Sequence, residues 1–287
     1  MNLVQHLKKH PFSFFLRMLV YVSAAITVTV LVFLIGYILY KGVPNLTLPG
    51  IFDWKFTSQN MSMTPAIINT VLMTVLSLLM AMPIGVFAAI YLVEYSKKGN
   101  KLVKLIRVTA ETLSGIPSII FGLFGMTFFA ETLGLSYTIL TGSITMALMV
   151  LPLITRNTQE ALKTVPDSYR SGAFGLGAGK WHMIRTILLP SAMPGIITGV
   201  ILAVGRIVGE SAALLFTAGS AKILPPDLFG CVKKIIEPGG TLTIQLYLSA
   251  TKGEFGVAFG IAFVLLVIVL GINFLAKGLA KHFDVRR

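Results

Sequence analysis

Residues 166–190 read PDSYRSGAFGLGAGKWHMIRTILLP, a compact basic stretch between two long apolar runs. Proline suits the first turn of a helix, and Asp167 or Ser168 can cap exposed amides, so one short helix is expected over Tyr169–Leu176. Gly175, Gly177 and Gly179 then break it. Trp181, Ile184, Ile187 and Leu188 have the spacing of a second amphipathic helix, and Pro190 opens an apolar span. The reading is a helix-turn-helix lying under a bilayer and facing water and a partner.

The bilayer follows from the rest of the chain. Of 287 residues 55% are apolar and 12% charged, with mean hydropathy +0.84, which marks an integral membrane protein. A spanning helix needs about 20 largely apolar residues. Six stretches qualify: Met18–Tyr40; Phe56–Val93, with the helix starting near Pro65; Thr112–Ala130; Thr132–Thr155; Pro190–Thr217; and Phe255–Ala276. The third and fourth are expected to form a tight hairpin. Backbone groups in lipid must bond within their own segment, and barrel-type alternation is missing, so the fold class is all-α. One transmembrane domain is expected over 18–287, with its core at about 64–276, after a cytoplasmic segment 1–17. A hairpin is expected at about 160–190 and an external loop at about 218–254.

Orientation follows from Lys and Arg, which concentrate on cytoplasmic segments. The N-terminus, an expected loop at Glu94–Glu111, residues 156–185 and the C-terminal tail hold 17 of the 24. The opposite segments hold Lys41, Lys55, Lys222, Lys233, Lys234 and Lys252, and Arg206 is intramembrane. Both termini are therefore expected in the cytoplasm. The net charge of +13 reflects this bias and anionic headgroups; nucleic-acid binding would need a soluble domain. Lys8 and Lys9 flank the first span as in a signal sequence, but its uncharged run is long and lacks a small-residue cleavage site, so an uncleaved helix is expected. The lone Cys231 allows no internal disulfide, and the scattered His6, His10, His182 and His282 point to no metal site. Gly179-Lys180 does not make a phosphate-binding loop, because Phe174 and Trp181 stand where glycine and Ser or Thr are needed. The glycine run also lacks the preceding strand of a dinucleotide fold.

The 166–190 stretch resembles the cytoplasmic EAA loop of ABC importer permeases: Glu-Ala-Ala, three residues, Gly, nine residues, Ile-x-Leu-Pro. The matching residues are Ser171-Gly172-Ala173, Gly177, Ile187, Leu189 and Pro190, with every spacing kept. Ser171 stands where the family has Glu, and Gly172 where it has the first Ala. Further matches are Leu113-Ser114-Gly115-Ile116-Pro117-Ser118, Gly122-Leu123-Phe124, Leu151-Pro152, Arg156, Glu160-Ala161-Leu162, Gly209-Glu210-Ser211-Ala212 and Leu214-Leu215-Phe216-Thr217-Ala218. In this order, over about 64–276, they resemble the permeases of phosphate-specific importers, PstA type.

The resemblance implies a type I importer permease in a bacterial inner or plasma membrane. It would form half of a pore with a second permease of PstC type. A PstB-type ATPase dimer and an external PstS-type binding protein would complete the importer. It implies no catalytic residue and no cofactor in this chain, ATP and magnesium being held by the ATPase. It also implies that Ser171, Gly172, Ala173, Gly177 and Ala178 dock on that ATPase. ATP-driven closure would then move the helix from about 165 to 180, which levers the fifth span between outward and inward states.

A charge at mid-membrane costs about 2.5–3.5 kcal/mol on insertion scales, so Arg206 and Glu210 need a reason to be there. They lie four residues apart, on one face of the expected helix, beside Gly205 and Gly209. Three readings stand: an ion pair fixing helix packing, a polar path in which Arg206 meets the anion while Glu210 competes for it or pairs across an interface, or a depth in the membrane other than the one assigned. A guanidinium fork matches phosphate oxygens and stays protonated. Arg156 and Glu160 repeat the spacing at the cytoplasmic end of the fourth span, as a solvated pair or as the lining of an inner mouth. Gly115, Pro117, Gly122 and Gly125 are expected to allow a kink and close helix contacts. In residues 218–254, Pro225-Pro226 and Gly239-Gly240 mark turns, and Lys233-Lys234 is expected to solvate a loop rather than meet an acidic binding protein. Other oxyanions such as sulfate or molybdate, a secondary carrier and a signalling scaffold are the alternatives.

Overall fold

A computed structural model describes residues 11–47, 52–53, 62–97, 99–221 and 233–282, and every regular element among them is helical. The elements are α1 (Pro11–Gly42), α2 (Thr64–Ile90, continued by a π turn Tyr91–Tyr95), α3 (Lys101–Gly115), and α4 (Ser118–Phe124, continued by a π turn Gly125–Thr132). They continue with α5 (Ile139–Lys163), α6 (Asp167–Gly175), α7 (Lys180–Met183, continued by a π turn Ile184–Leu188) and α8 (Leu189–Gly209). The last are α9 (Ala212–Thr217), α10 (Leu242–Thr251) and α11 (Phe255–His282). Five helices are long and apolar enough to cross a membrane, and a bent pair supplies the sixth, in line with the six-span reading. Residues 1–10, 54–61 and 222–232, and with them the front of the second stretch, Pro225-Pro226 and Cys231, lie outside the described residues.

The most buried span is α5, which packs between α2 and α8. Met146, Met149, Val150 and Ile154 meet Met73 and Ala81 of α2, and Ala203 and Ile207 of α8. In lipid no hydrophobic force draws helices together, so small residues that admit close backbones decide where they touch. A Cβ on Gly85 would lie 2.9 Å from Ile154 Cγ2, and one on Gly195 2.6 Å from Ala161 Cβ. Buried hydroxyls bond back along their own helices: Thr70 to the Ala66 carbonyl, Ser77 to Met73, Ser143 to Ile139 and Thr145 to Thr141. A polar seam thus sits inside the bundle without unpaired donors there. The first helix, by contrast, is exposed along almost all its length. It touches the bundle where Tyr37 meets Phe259 edge-on at 5.5 Å and Gly42 lies against Phe263 and Phe259.

Four expectations need correction. The third stretch, expected to kink within 112–130, begins earlier and bends sharply: the helix 103–115 meets 118–132 at 103°. Pro117 has no N–H to give and holds extended backbone with ψ 138°, so the α-helix stops there. The segment Glu94–Glu111, expected as a loop, is helical from Lys101, because its charges fall on one side of an amphipathic helix instead of marking a turn. The expected kink at Gly115 and Pro117 is this bend. The expected close contacts are present: a Cβ on Gly122 would lie 2.7 Å from Ala213 Cα, and Gly125 lies against Thr145 and Thr217.

Second, residues 181–189 do not form a separate surface helix, since 180–209 is one continuous helix. The π turn Ile184–Leu188 precedes Pro190, and wider i→i+5 pairing accommodates a residue that cannot donate. Third, the fifth span does not run through to Thr217 but ends at Gly209, and Glu210 is extended, with ψ 129°. Fourth, residues 218–254 are not simply a solvated loop. Leu242, Thr243, Ile244 and Gln245 of α10 are buried, and Lys234 is 2% exposed with Nζ donating to the Pro238 carbonyl at 2.8 Å. Burial pushes the Lys234 ammonium below the ordinary lysine range, partly offset by Glu237. Lys233 is exposed, as expected.

Candidate functional site

Two features of the bundle, a cavity and the α6–α7 hairpin, hold the expected site residues. The first is a cavity of about 420 Å³ lined by α3, α5 and the last turn of α8. Arg206 lines it together with Arg156 and Glu160, and Arg107, Glu111 and Lys163 join them. Four cations thus face one space with two carboxylates, so the potential there favours an anion. Arg156 Nε donates to Glu160 Oε1 at 3.1 Å, and the side chains are 67% and 60% exposed. The pair is thus solvated, worth about 0.3–0.5 kcal/mol, and lines the cavity.

The structure does not bring Glu210 into this cavity. The helix ends one residue before it, so the shared face expected for Arg206 and Glu210 does not form. Glu210 Oε1 accepts a bond from the Ala213 amide at 3.1 Å and caps α9, while its own carbonyl accepts from Thr243 Oγ1 of α10 at 2.7 Å. Arg206, half-buried, takes part in no ion pair among the described residues, which leaves its fork available to a ligand. Capping needs an acceptor oxygen, not a charge. Glu210→Gln is therefore expected to keep most of the thermal stability of the protein in detergent, whereas Glu210→Ala loses about 0.5–2 kcal/mol. Equal losses in both variants would refute the capping role.

The second feature is the hairpin. Helix α6 ends in a Schellman cap: the Ala178 amide bonds the Ala173 carbonyl and the Gly177 amide that of Phe174, each at 3.0 Å. Gly177 has φ +79°, a conformation costly for other residues, which accounts for glycine at this position of the pattern. Ala173 is buried with Leu162, Val165, Met183, Ile184 and Leu188, and Ala178 packs against the same cluster. These contacts fold the two arms together. Ser171 and Gly172 face out, and Ser171 Oγ bonds back to the Asp167 and Ser168 carbonyls. Serine in place of Glu therefore removes no contact inside this chain. Tyr169 and Phe174 are about half exposed and Leu176 is 91% exposed, an apolar surface on a segment outside the candidate spans, and Trp181, at the start of the 180–209 helix, is half exposed as well.

Two residues with no local sequence signal complete the hairpin. Arg170 donates to Glu94 Oε1 through Nη2 at 2.8 Å and Nε at 3.1 Å, across 76 positions of sequence. Only the fold brings them together.

A family model described as "Binding-protein-dependent transport system inner membrane component" matches residues 81–287. A probable ABC transporter permease protein, YqgI, of Bacillus subtilis is 34% identical over 89% of this chain and 90% of its own length. The phosphate transport system permease protein PstA of Mycobacterium leprae is 31% identical over 89% of this chain and 84% of its own. Among solved structures, a bacterial ABC transporter involved in the import of the acidic polysaccharide alginate shares the fold, with TM-score 0.58 and 19% identity over 98% of this chain and 99% of that one. With hairpin, spans and spacing in agreement, this multi-pass membrane chain belongs to the inner-membrane permease family of binding-protein-dependent ABC transport systems.

Proposed function

We propose that the chain is one of two permease subunits lining the path of an ATP-driven importer of inorganic phosphate, fed by an external binding protein. The observation that carries this is Arg206 in a cavity shared with Arg107, Arg156 and Lys163. An oxyanion leaving water needs replacement hydrogen bonds and opposite charge, and a guanidinium with a free fork offers two donors to two oxygens. The other three cations draw the anion in, while Glu111 and Glu160 keep the site from holding it too tightly. Phosphate is favoured over other oxyanions by the PstA relative at 31% identity.

The chain itself is non-catalytic. ATP and magnesium belong to a separate ATPase dimer, which docks on the hairpin through Ser171, Gly172 and the exposed apolar side chains around them, with Ala173, Gly177 and Ala178 setting its shape. Because 180–209 is one helix, closure of the ATPase pair moves the hairpin and delivers that movement to Arg206, roughly 40 Å along the axis. The test is uptake of radiolabelled phosphate by the reconstituted complex of both permeases, ATPase and binding protein. Uptake should require ATP and be displaced by arsenate but not by sulfate or molybdate. Import of sulfate or molybdate in place of phosphate would assign another oxyanion, and uptake without the ATPase would assign a secondary carrier.

A further inference from the structure

The last turn of the second span touches both arms of the hairpin, and the contacts converge on one residue. Glu94 is 6% exposed in its side chain and Arg170, on α6, 18%. The Glu94 carboxylate takes two donors of that guanidinium, at 2.8 and 3.1 Å. The backbone carbonyl of Glu94 accepts from Lys180 Nζ, at the start of the other arm, and the same ammonium lies 4.7 Å over the Tyr95 ring. Arg170 spends its remaining donors on the Val165 and Leu162 carbonyls, at 3.0 and 3.1 Å, and on Asp167 Oδ1 at 3.0 Å. One side chain therefore fastens α6 to the ends of both α5 and α2.

We propose that Glu94 is a positioning residue for energy coupling, through which movement of the hairpin is delivered to the second span as well as the fifth. The proposal rests on the coupling role given to the hairpin above. A buried, two-donor, charge-assisted contact resists extension more than a solvated one does, so displacement of α6 carries Glu94 with it. Leu92, two residues earlier in the same turn, lines the cavity that holds Arg206. Moving this turn therefore reshapes the cavity while the 180–209 helix moves its arginine. The two motions reach the cavity through different helices.

The experiment measures anion imported per ATP hydrolysed in proteoliposomes of the complete importer, with ATPase binding to the permeases scored separately by pull-down. Glu94→Gln and Arg170→Lys should each keep the ATPase bound yet lower the ratio about tenfold. Lys180→Met, a change at an exposed residue that leaves the buried pair intact, should lower it a fewfold. A merely structural contact would reduce uptake and hydrolysis together, so an unchanged ratio in the variants that assemble overturns the proposal. Should the two buried-pair variants fail to assemble, the ratio in Lys180→Met decides by itself. If the wild-type complex carries another oxyanion, the phosphate reading fails, and the ratio measured with that anion still tests Glu94.

Discussion

Arg206→Lys is expected to cut anion uptake by about ten- to a hundredfold while leaving insertion and assembly intact. The substitution keeps the charge, so the cost of placing it in the span is unchanged on insertion scales. What it removes is the planar fork: lysine presents a compact, strongly hydrated point charge, without fixed paired donors. Hydrogen bonds to charged groups contribute about 1.5–3 kcal/mol each, and loss of one corresponds to roughly that range of rates. Arg206 takes part in none of the ion pairs among the described residues, so a packing role has no partner there to lose. The measurement is initial uptake rate against the amount of assembled complex recovered from the membrane. Normal uptake by the lysine variant would sink the assignment of Arg206 to the path, and a parallel loss of assembly would return it to a structural role.

Gly177→Val should separate ATP hydrolysis from uptake. At φ +79° a residue with a Cβ is strained by about 1–2 kcal/mol, and a β-branched one by more. A Cβ at this position meets nothing within 4 Å, so the whole effect arises in the backbone and not from a clash. Relieving the strain means giving up the two amide bonds of the Schellman cap, and with them the angle between α6 and α7. The hairpin would still exist, but its docking face would no longer hold the orientation that turns ATPase closure into a lever stroke. Expected in reconstituted vesicles is persistent ATP hydrolysis with uptake reduced about tenfold or more, and normal membrane insertion. Gly175→Ala serves as the control: it is helical, its Cβ also meets open space, and alanine favours the helix by about 1 kcal/mol over glycine. Unchanged coupling in Gly177→Val, or equal uncoupling in Gly175→Ala, would refute the account.

The runs Met18–Tyr40 and Phe255–Ala276 were legible as spans, and lie inside the helices Pro11–Gly42 and Phe255–His282, because lipid demands length and hydrophobicity, both of which are local properties. The hairpin was legible for a related reason. Its capping glycine and its spacing from Ser171 to Pro190 are set by short-range geometry that any such turn must obey. The misreadings fall where hydropathy and conformation part company. Thr112–Ala130 was expected to kink at Gly115 and Pro117, but the size of the bend and the helix that precedes it do not show in a hydropathy profile, because a proline without an N–H changes the path of the chain without changing its polarity. Glu210 lies four residues after Arg206 in sequence but beyond the end of the helix, so spacing alone placed it on a face it does not share. Leu242–Thr251 was masked by neighbouring turn residues and takes its place only by packing against other helices.

Membrane residence, helical class, the number of spans and the turn between helices at 166–190 were thus determined by the sequence alone, since each depends on composition or on residues within a few turns of one another. Only the tertiary structure decided that Arg206 shares a cavity with Arg107 and Lys163, that Glu210 caps a helix instead of pairing, and that Arg170 grips Glu94. The cavity and the Arg170–Glu94 pair are contacts between segments, with partners chosen by how the helices approach, and the Glu210 cap, though local, depends on where α8 ends in the packed bundle.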